Sequence, residues 1–141
     1  MKYEYKPAGL DPTVKGKLFW SPLVLTTISG SKNRRKVYAL VDSGALYCIA
    51  PIEYAEILGA SLDKNKAVPT YGVLGTKQTE LAYPGKVKVK IEHLDEIEMT
   101  VFFMKTNAFA FLLGQKDFFD NFRVKFEKDH KTFEINPVRR K

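Results

Sequence analysis

Three segments of the chain alternate between apolar and polar side chains. They are residues 86–91, in which lysines alternate with residues such as Val87 and Val89, and residues 97–103 and 122–126. A period of two puts one face of a strand into a core and the other into water. The pattern therefore predicts three half-buried strands.

Other segments are apolar without alternation. Residues 18–28 are rich in strand-forming side chains but are interrupted at Ser21 and Pro22, and residues 37–41 follow a polar turn at 29–33. This arrangement predicts a β-hairpin. The run 109–114 is apolar throughout and predicts a strand that is buried on both faces.

A short helix is predicted over residues 51–59. Pro51 suits a first helical position, and Gly59 suits the position just past a helix end. Two turns would place Ala55 and Leu58 on one inner face. A helix this short depends on packing rather than on propensity.

These segments, with a last short strand at residues 133–135, amount to about eight strands and one or two short helices. The predicted fold class is all-β, a compact barrel. We expect an N-terminal arm at residues 1–17, one domain at 18–137 and a basic tail at 138–141.

The composition fits a globular protein with one core: the chain has 141 residues, 45% of them hydrophobic. The formal net charge is +7, partly concentrated at residues 32–36 and 139–141. Such patches can bind nucleic acid or an acidic partner. Because no aromatic residues interleave with these charges, we favour a solvated turn and a frayed terminus, and expect no nucleic acid partner.

Cys48 is the only cysteine, so no disulfide can form within one chain. With no secretory segment or long apolar run, we expect a cytoplasmic protein that does not bind membranes. His93 and His130 lie in charged segments, far from Cys48 in sequence. A buried structural thiol is favoured over a nucleophile, and the sequence predicts neither a metal site nor a cofactor.

Asp42 directly follows the apolar residues 37–41 and begins the segment Asp42–Ala45, of sequence DSGA. A carboxylate here lies at the rim of a buried strand, where it needs a partner or a change of protonation. Gly44 allows a tight turn and close approach. Many strands end in a similar turn, so the motif needs support from the rest of the chain.

That support comes from a resemblance to the retropepsin-like aspartic protease family. Four features occur in the family's order, between Leu18 and Ile135: the ALVDSGA signature at 39–45, CIAP at 48–51 leading into a short helix, a hairpin with glycines, and FLLG at 111–114 followed by DFF. The last block is most similar to small bacterial and archaeal members. The resemblance implies an acid-protease β-barrel.

The resemblance also implies an aspartic endopeptidase. The chain contains one DSG triplet and no second D-T/S-G, which implies a homodimer with Asp42 of each copy at the two-fold axis. One carboxylate would activate water and the other would protonate the scissile carbonyl. Ser43 would hold the two loops together, and the Gly44 carbonyl would meet an extended peptide substrate.

The family places its flap at the glycine-bearing hairpin. We therefore expect substrate contacts from the flap and the cleft wall, at Ile49, Gly72, Val73, Leu74 and Gly75. The active-site loop would comprise Ser43, Gly44 and Ala45.

The sequence departs from the family pattern beside the motif. Leu46 stands where many members have a polar residue, and bulky Tyr47 follows it. Two alternatives to the enzyme therefore stay open. One is a catalytically silent binding or dimerisation module on the same fold, and the other is a basic β-barrel that binds nucleic acid.

Overall fold

The computed structural model describes residues 1–70 and 80–139. In these residues there are twelve strands and one α-helix. The strands are β1 (Lys2–Glu4), β2 (Lys6–Leu10), β3 (Leu18–Ser21), β4 (Leu23–Ser29), β5 (Arg34–Val41), β6 (Cys48–Pro51), β7 (Val68–Thr70), β8 (Glu80–Ile91), β9 (Ile97–Met104), β10 (Leu112–Leu113), β11 (Phe122–Glu127) and β12 (Thr132–Pro137); the helix is α1 (Glu53–Leu58).

Six strands close a barrel in the order β4-β5-β10-β6-β9-β8, because β8 also pairs with β4. Strand β7 extends the sheet beside β8. Most pairs are antiparallel, but β10 runs parallel to β5 and β6 runs parallel to β9. The prediction of an all-β barrel with short helices is confirmed.

Two of the alternating segments, in β8 and β9, face the barrel core as predicted. The third, residues 122–126, forms β11 of a separate sheet, where Phe122 is buried but Phe126 is 39% exposed. Val87, Val89 and Ile91 of β8 are buried, whereas the lysines between them are exposed. The largest fully buried side chains include Phe103 and Phe111. The period-two pattern of residues 86–91 therefore correctly predicted which side chains face the core and which face water.

The predicted helix exists but begins later than expected. Pro51 is the last residue of β6, paired with Met104 of β9, so α1 starts at Glu53. Pairing with β9 keeps Pro51 extended, which overrides its fitness for a first helical turn. Ala55 and Leu58 are buried as predicted, and Gly59 ends the helix in the left-handed region with φ of 76°.

Two other element bounds differ from the prediction. Strand β5 begins at Arg34 rather than near residue 37, so part of the basic cluster is strand and not turn. The 109–114 run is largely buried from Phe111 onward, but only Leu112 and Leu113 form β10. This strand is short because the chain passes between β5 and β6 and then turns away.

The first residues pack on the end of the chain. Strand β1 pairs with β12, and β12 pairs with β11, in a separate three-stranded sheet. Tyr3 and Tyr5 are buried there against Phe133. Strands β2 and β3 form a mostly exposed hairpin. The division at residues 17 and 137 stays a prediction.

Within the described ranges, no helix has the length and hydropathy that crossing a bilayer requires.

Candidate active site

Asp42 lies immediately after β5, at a strand end that is held from both sides. Its backbone N–H donates to the Leu113 carbonyl at 2.9 Å, and Leu40 donates to Phe111 at 2.9 Å. On the other side, the Val41 N–H donates to the Pro22 carbonyl at 3.0 Å. These hydrogen bonds fix the backbone of β5 at the barrel rim, and they therefore fix the position of the Asp42 Cα.

The Asp42 carboxylate is half-buried and caps its own turn. Oδ1 accepts a hydrogen bond from the Gly44 N–H at 2.9 Å, and the Ala45 N–H donates to the Asp42 carbonyl at 3.3 Å. No ion pair involves Asp42 within the part of the chain that the structure describes. The carboxylate is thus oriented by an amide but not neutralised by a nearby cation.

The segment after β10 braces this loop through residues that the sequence did not single out for the site. The Gln115 side chain donates from Nε2 to the Ser43 carbonyl at 2.6 Å, and its backbone N–H donates to Ala45 at 2.8 Å. The Lys116 N–H donates to the Leu46 carbonyl at 2.9 Å. The position of Gln115 directly behind FLLG was the available signal.

Gly114 makes this bracing possible because it lacks a side chain. A Cβ there would lie 2.3 Å from the Tyr47 carbonyl oxygen and 2.8 Å from that of Ala45. Those atoms are backbone and cannot rotate away. The glycine therefore lets the post-β10 turn lie directly against the Asp42 loop.

Cys48 is a buried structural thiol, as the sequence predicted. Its side chain is fully buried, and Sγ accepts from the Gly114 N–H at 3.4 Å and donates to the Lys116 carbonyl at 3.5 Å. Burial raises the pKa of the Cys48 thiol to about 12. A neutral thiol in this position joins the two loops and is a poor nucleophile.

A second apolar cluster lies beside the loop, apart from the main core. Ile49 belongs to its buried part, which also contains Ala82, Phe102, Met104 and Leu112, with Ala45 and Tyr47 packed against it. The Tyr47 ring lies 4.3 Å from the Phe102 ring, centroid to centroid. The bulky Tyr47 is therefore held against this cluster.

Leu46 behaves differently from its neighbour, because 71% of it is exposed. Its carbonyl oxygen accepts the hydrogen bond from the Lys116 N–H, so the backbone of Leu46 is fixed while its side chain is exposed. An exposed leucine beside a carboxylate leaves apolar surface for a partner to cover.

The predicted flap is only partly within the described residues. Its stem is the β7–β8 pair, in which Val68, Pro69 and Thr70 face Ala82, Leu81 and Glu80. Gly72, Val73, Leu74 and Gly75 lie outside the described residues. Val68 packs against the same cluster as Ile49, so the stem rises next to the Asp42 loop.

The histidines lie in turns far from this loop in sequence. His93 and His130 are exposed and lie 3.9 Å and 3.2 Å from the carboxylates of Glu92 and Asp129. Among residues 1–70 and 80–139, no group of three or more His, Cys, Asp or Glu side chains is arranged to hold a metal ion.

Two solved structures resemble the whole barrel. A retropepsin-like aspartic protease from Rickettsia conorii matches with a TM-score of 0.53 and 18% identity, covering 95% of this chain and 99% of its own. The retroviral protease-like domain of Ddi1 from Leishmania major matches with a TM-score of 0.54 and 18% identity, covering 82% and 90%.

Sequence comparison finds nothing of this kind: no protein-family model and no curated protein matches the chain. At 18% identity, the structural likeness concerns the fold. The closed six-strand barrel, and its match to these structures over most of the chain, show that this chain has the fold of the retropepsin-like aspartic proteases.

Proposed function

We propose that this protein is a homodimeric aspartic endopeptidase in which Asp42 of each copy acts at one shared site. The observation that carries the proposal is the Asp42 carboxylate: it is half-exposed, oriented by the Gly44 amide at 2.9 Å and free of an ion pair among the described residues. The braced loop holds this acid at the barrel rim, open to a second molecule.

The second copy is needed for chemical reasons. Peptide hydrolysis through activated water needs a base for the water and an acid for the carbonyl at the same moment. One carboxylate cannot be both, but two carboxylates about 3 Å apart share one proton and so supply both roles. Because the sequence contains one DSG triplet, two-fold symmetry is the simple way to bring two together.

In this mechanism the ionised Asp42 removes a proton from the bound water, and the water oxygen bonds to the scissile carbonyl carbon. The protonated Asp42 of the other copy gives its proton to the carbonyl oxygen, which yields a tetrahedral diol. In the collapse of the diol, the Asp42 that holds the water proton passes it to the departing amine as the C–N bond breaks. A diol hydroxyl returns its proton to the other Asp42, so the new carboxyl group is released and no acyl-enzyme forms. Ser43 would hold the two loops together across the axis, and the Gly44 carbonyl would contact the substrate backbone.

The substrate is an extended peptide with apolar side chains near the cleaved bond. It would add as a strand between the loop and the flap hairpin that rises from β7 and β8. The second apolar cluster, with Ile49 and Phe102, lies next to the loop and supplies the wall for such side chains. Gly72, Val73, Leu74 and Gly75 would close over the peptide.

The test is peptide cleavage across a diverse library between about pH 3 and pH 7, where a carboxylate pair can share a proton. Asp42→Asn keeps an oxygen that can accept from Gly44 but removes the acid–base function, so we expect turnover to fall about 10³-fold or more. Asp95→Asn, a matched change at an exposed turn, should cleave like the unaltered protein. Activity that survives Asp42→Asn would contradict the proposal.

Leu46 and Tyr47 favour a second candidate, a catalytically silent module that binds peptides or its own copy. Leu46 is 71% exposed and places apolar surface next to Asp42, at a position where many members of the family that this chain resembles have a polar residue. On this reading, the purified protein would dimerise and bind extended peptides, yet no library member would be cleaved at any pH tested, and Asp42→Asn would bind them equally well.

A further inference from the structure

Three adjacent strands of the barrel carry a cluster of cations on their outer face. The register of β8, β4 and β5 aligns Lys90 with Thr27 and Lys36, and it aligns Lys88 with Ser29 and Arg34. All four cations are exposed. We call this surface the basic face: Arg34, Lys36, Lys88 and Lys90, flanking the hydroxyls of Thr27 and Ser29.

The basic face is not balanced by its own carboxylates. Within the described residues, Arg34, Lys36, Lys88 and Lys90 take part in no ion pair. The acids nearest in register are Glu98, Glu96 and Glu92. Glu98 faces Lys88 from β9 but is paired to Lys86 at 3.7 Å, Glu96 directly precedes the Ile97–Val89 pair on the side of Lys90, and Glu92 follows β8.

The β11–β12 sheet shows the usual arrangement by contrast. There Lys125 faces Glu134 across the strands and lies 2.8 Å from Glu127. Opposite charges in cross-strand positions stabilise a sheet, and like charges on one face do not. The basic face therefore keeps a repulsion that an anionic partner would relieve.

The spacing of the cations suits an extended chain of carboxylates. Residues two apart on one strand are about 6.8 Å apart, and strands flanking a central one are about 9.6 Å apart. Alternate side chains of an extended peptide have the same spacing of about 6.8 Å. A groove of about 500 Å³ at the Ser29 and Lys88 end extends the surface. Its lining also includes Ser31, Ser61 and Lys86, together with one carboxylate, Glu98, which is paired to Lys86.

We propose that the basic face binds an acidic peptide segment of a protein partner. A nucleic acid strand fits less well, because bases need several aromatic platforms. Residues 23–29, 34–41 and 86–91 contain one aromatic residue, Tyr38, and the Lys6 ammonium lies 5.9 Å from its ring centre. Lys36 precedes Asp42 by six residues, about 20 Å along β5, so this surface is separate from the proposed cleavage site.

The binding test uses Asp42→Asn protein, so that cleavage cannot remove the probe and the result does not depend on activity. The probe is a fluorescein-labelled peptide with about six glutamates alternating with glycine, measured by anisotropy at about 50 mM salt, where charge interactions are weakly screened. Comparison probes are the same peptide with glutamine in place of glutamate and a thymidylate oligonucleotide with the same number of charges.

Two four-site variants distinguish binding at the basic face from a general attraction to the net positive charge of the protein. The face variant carries Arg34→Gln, Lys36→Gln, Lys88→Gln and Lys90→Gln. The control removes four charges from exposed positions in other segments, by Lys15→Gln, Lys17→Gln, Lys64→Gln and Lys128→Gln. We expect the face variant to bind the acidic peptide at least about tenfold more weakly and the control to change it by less than about twofold.

Three results would overturn the proposal. They are no binding of the glutamate peptide by the unaltered face, equal losses in the two four-site variants, and tighter binding of the oligonucleotide than of the glutamate peptide. Circular dichroism and thermal unfolding of both variants verify that the folds are intact. A folded face variant with lost binding, beside a control that binds, supports the site whatever the cleavage assays show.

Discussion

The turn after β10 accepts no atom beyond hydrogen at residue 114, because a Cβ would lie 2.3 Å from the Tyr47 carbonyl oxygen. We expect Gly114→Ala to lower the free energy of unfolding by about 2–4 kcal/mol, since backbone must move. Urea unfolding measures this change. At Gly85 a Cβ would lie 3.0 Å from a Leu62 methyl and 3.1 Å from the Ser61 carbonyl oxygen, much farther than the 2.3 Å at Gly114, so Gly85→Ala should cost less. Equal losses would contradict the role given to Gly114.

Cys48 gives a pH dependence with a defined sign. Its pKa rises from 9.0 to about 12 through burial, so the folded protein holds this proton more tightly than the unfolded chain does. The stability from the buried thiol is therefore complete below about pH 9 and declines as pH rises toward 12, by at most about 1.4 kcal/mol per pH unit.

Burial also raises the pKa of Tyr3 to about 12, with a further contribution from Glu92, and it raises the pKa of Tyr5, so the thiol is not the sole group that acts in this window. We expect the unfolding free energy of Cys48→Ala to fall less steeply between about pH 9 and pH 11 than that of the unaltered protein. Equal slopes in urea titrations would show that the thiol is not buried as described.

At the scale of elements, β1 connects the start of the chain to its end. Tyr3 stacks on Phe133 with ring centres 5.5 Å apart, and its hydroxyl donates to the Glu92 carbonyl. We expect Tyr3→Ala to lower the unfolding free energy by about 3 kcal/mol, because a buried ring is removed. Tyr3→Phe, which removes the hydroxyl alone, should cost about 1 kcal/mol. Thermal unfolding that is unchanged by Tyr3→Ala would mean that β1 adds nothing to the barrel.

Some strand and helix bounds follow from local sequence, and others do not. Alternation at residues 86–91 depends only on which side chains face water, and β8 followed it. Pro51 has local features that suit a helix start, yet pairing with Met104 keeps it in β6. The length of β10 could not be predicted from local sequence either, because it depends on how β5 and β6 pair with residues 112 and 113. Contacts between distant segments overrode local preference in both cases.

For the whole molecule, the proposed dimer would bring Leu46 near the two-fold axis, because Leu46 follows Asp42 by four residues on the same loop. A carboxylate placed on this exposed loop would face its own copy and the Asp42 pair, so we expect Leu46→Glu to weaken dimerisation by about tenfold or more. Sedimentation across a concentration series measures this. Leu10, 72% exposed on the β2–β3 hairpin, is the matched control, and Leu10→Glu should leave the dimer unchanged. Equal effects from both would argue against an interface at the Asp42 loop.

In the candidate site, too, some features follow from residues that are neighbours in sequence, and others depend on contacts between distant segments. The place of Asp42 at a strand end, the turn at Gly44 and the buried state of Cys48 could be predicted, since a strand followed by DSGA and a lone apolar-flanked thiol are local patterns. The bracing by Gln115, the close approach of Gly114 and the basic face could not. Each depends on a contact between distant segments, as in the Gln115–Ser43 bond and the pairing of Lys90 with Thr27, which places β8 beside the β4–β5 hairpin. Periodicity and turn chemistry are properties of neighbouring residues, whereas register and close packing arise only when the barrel closes.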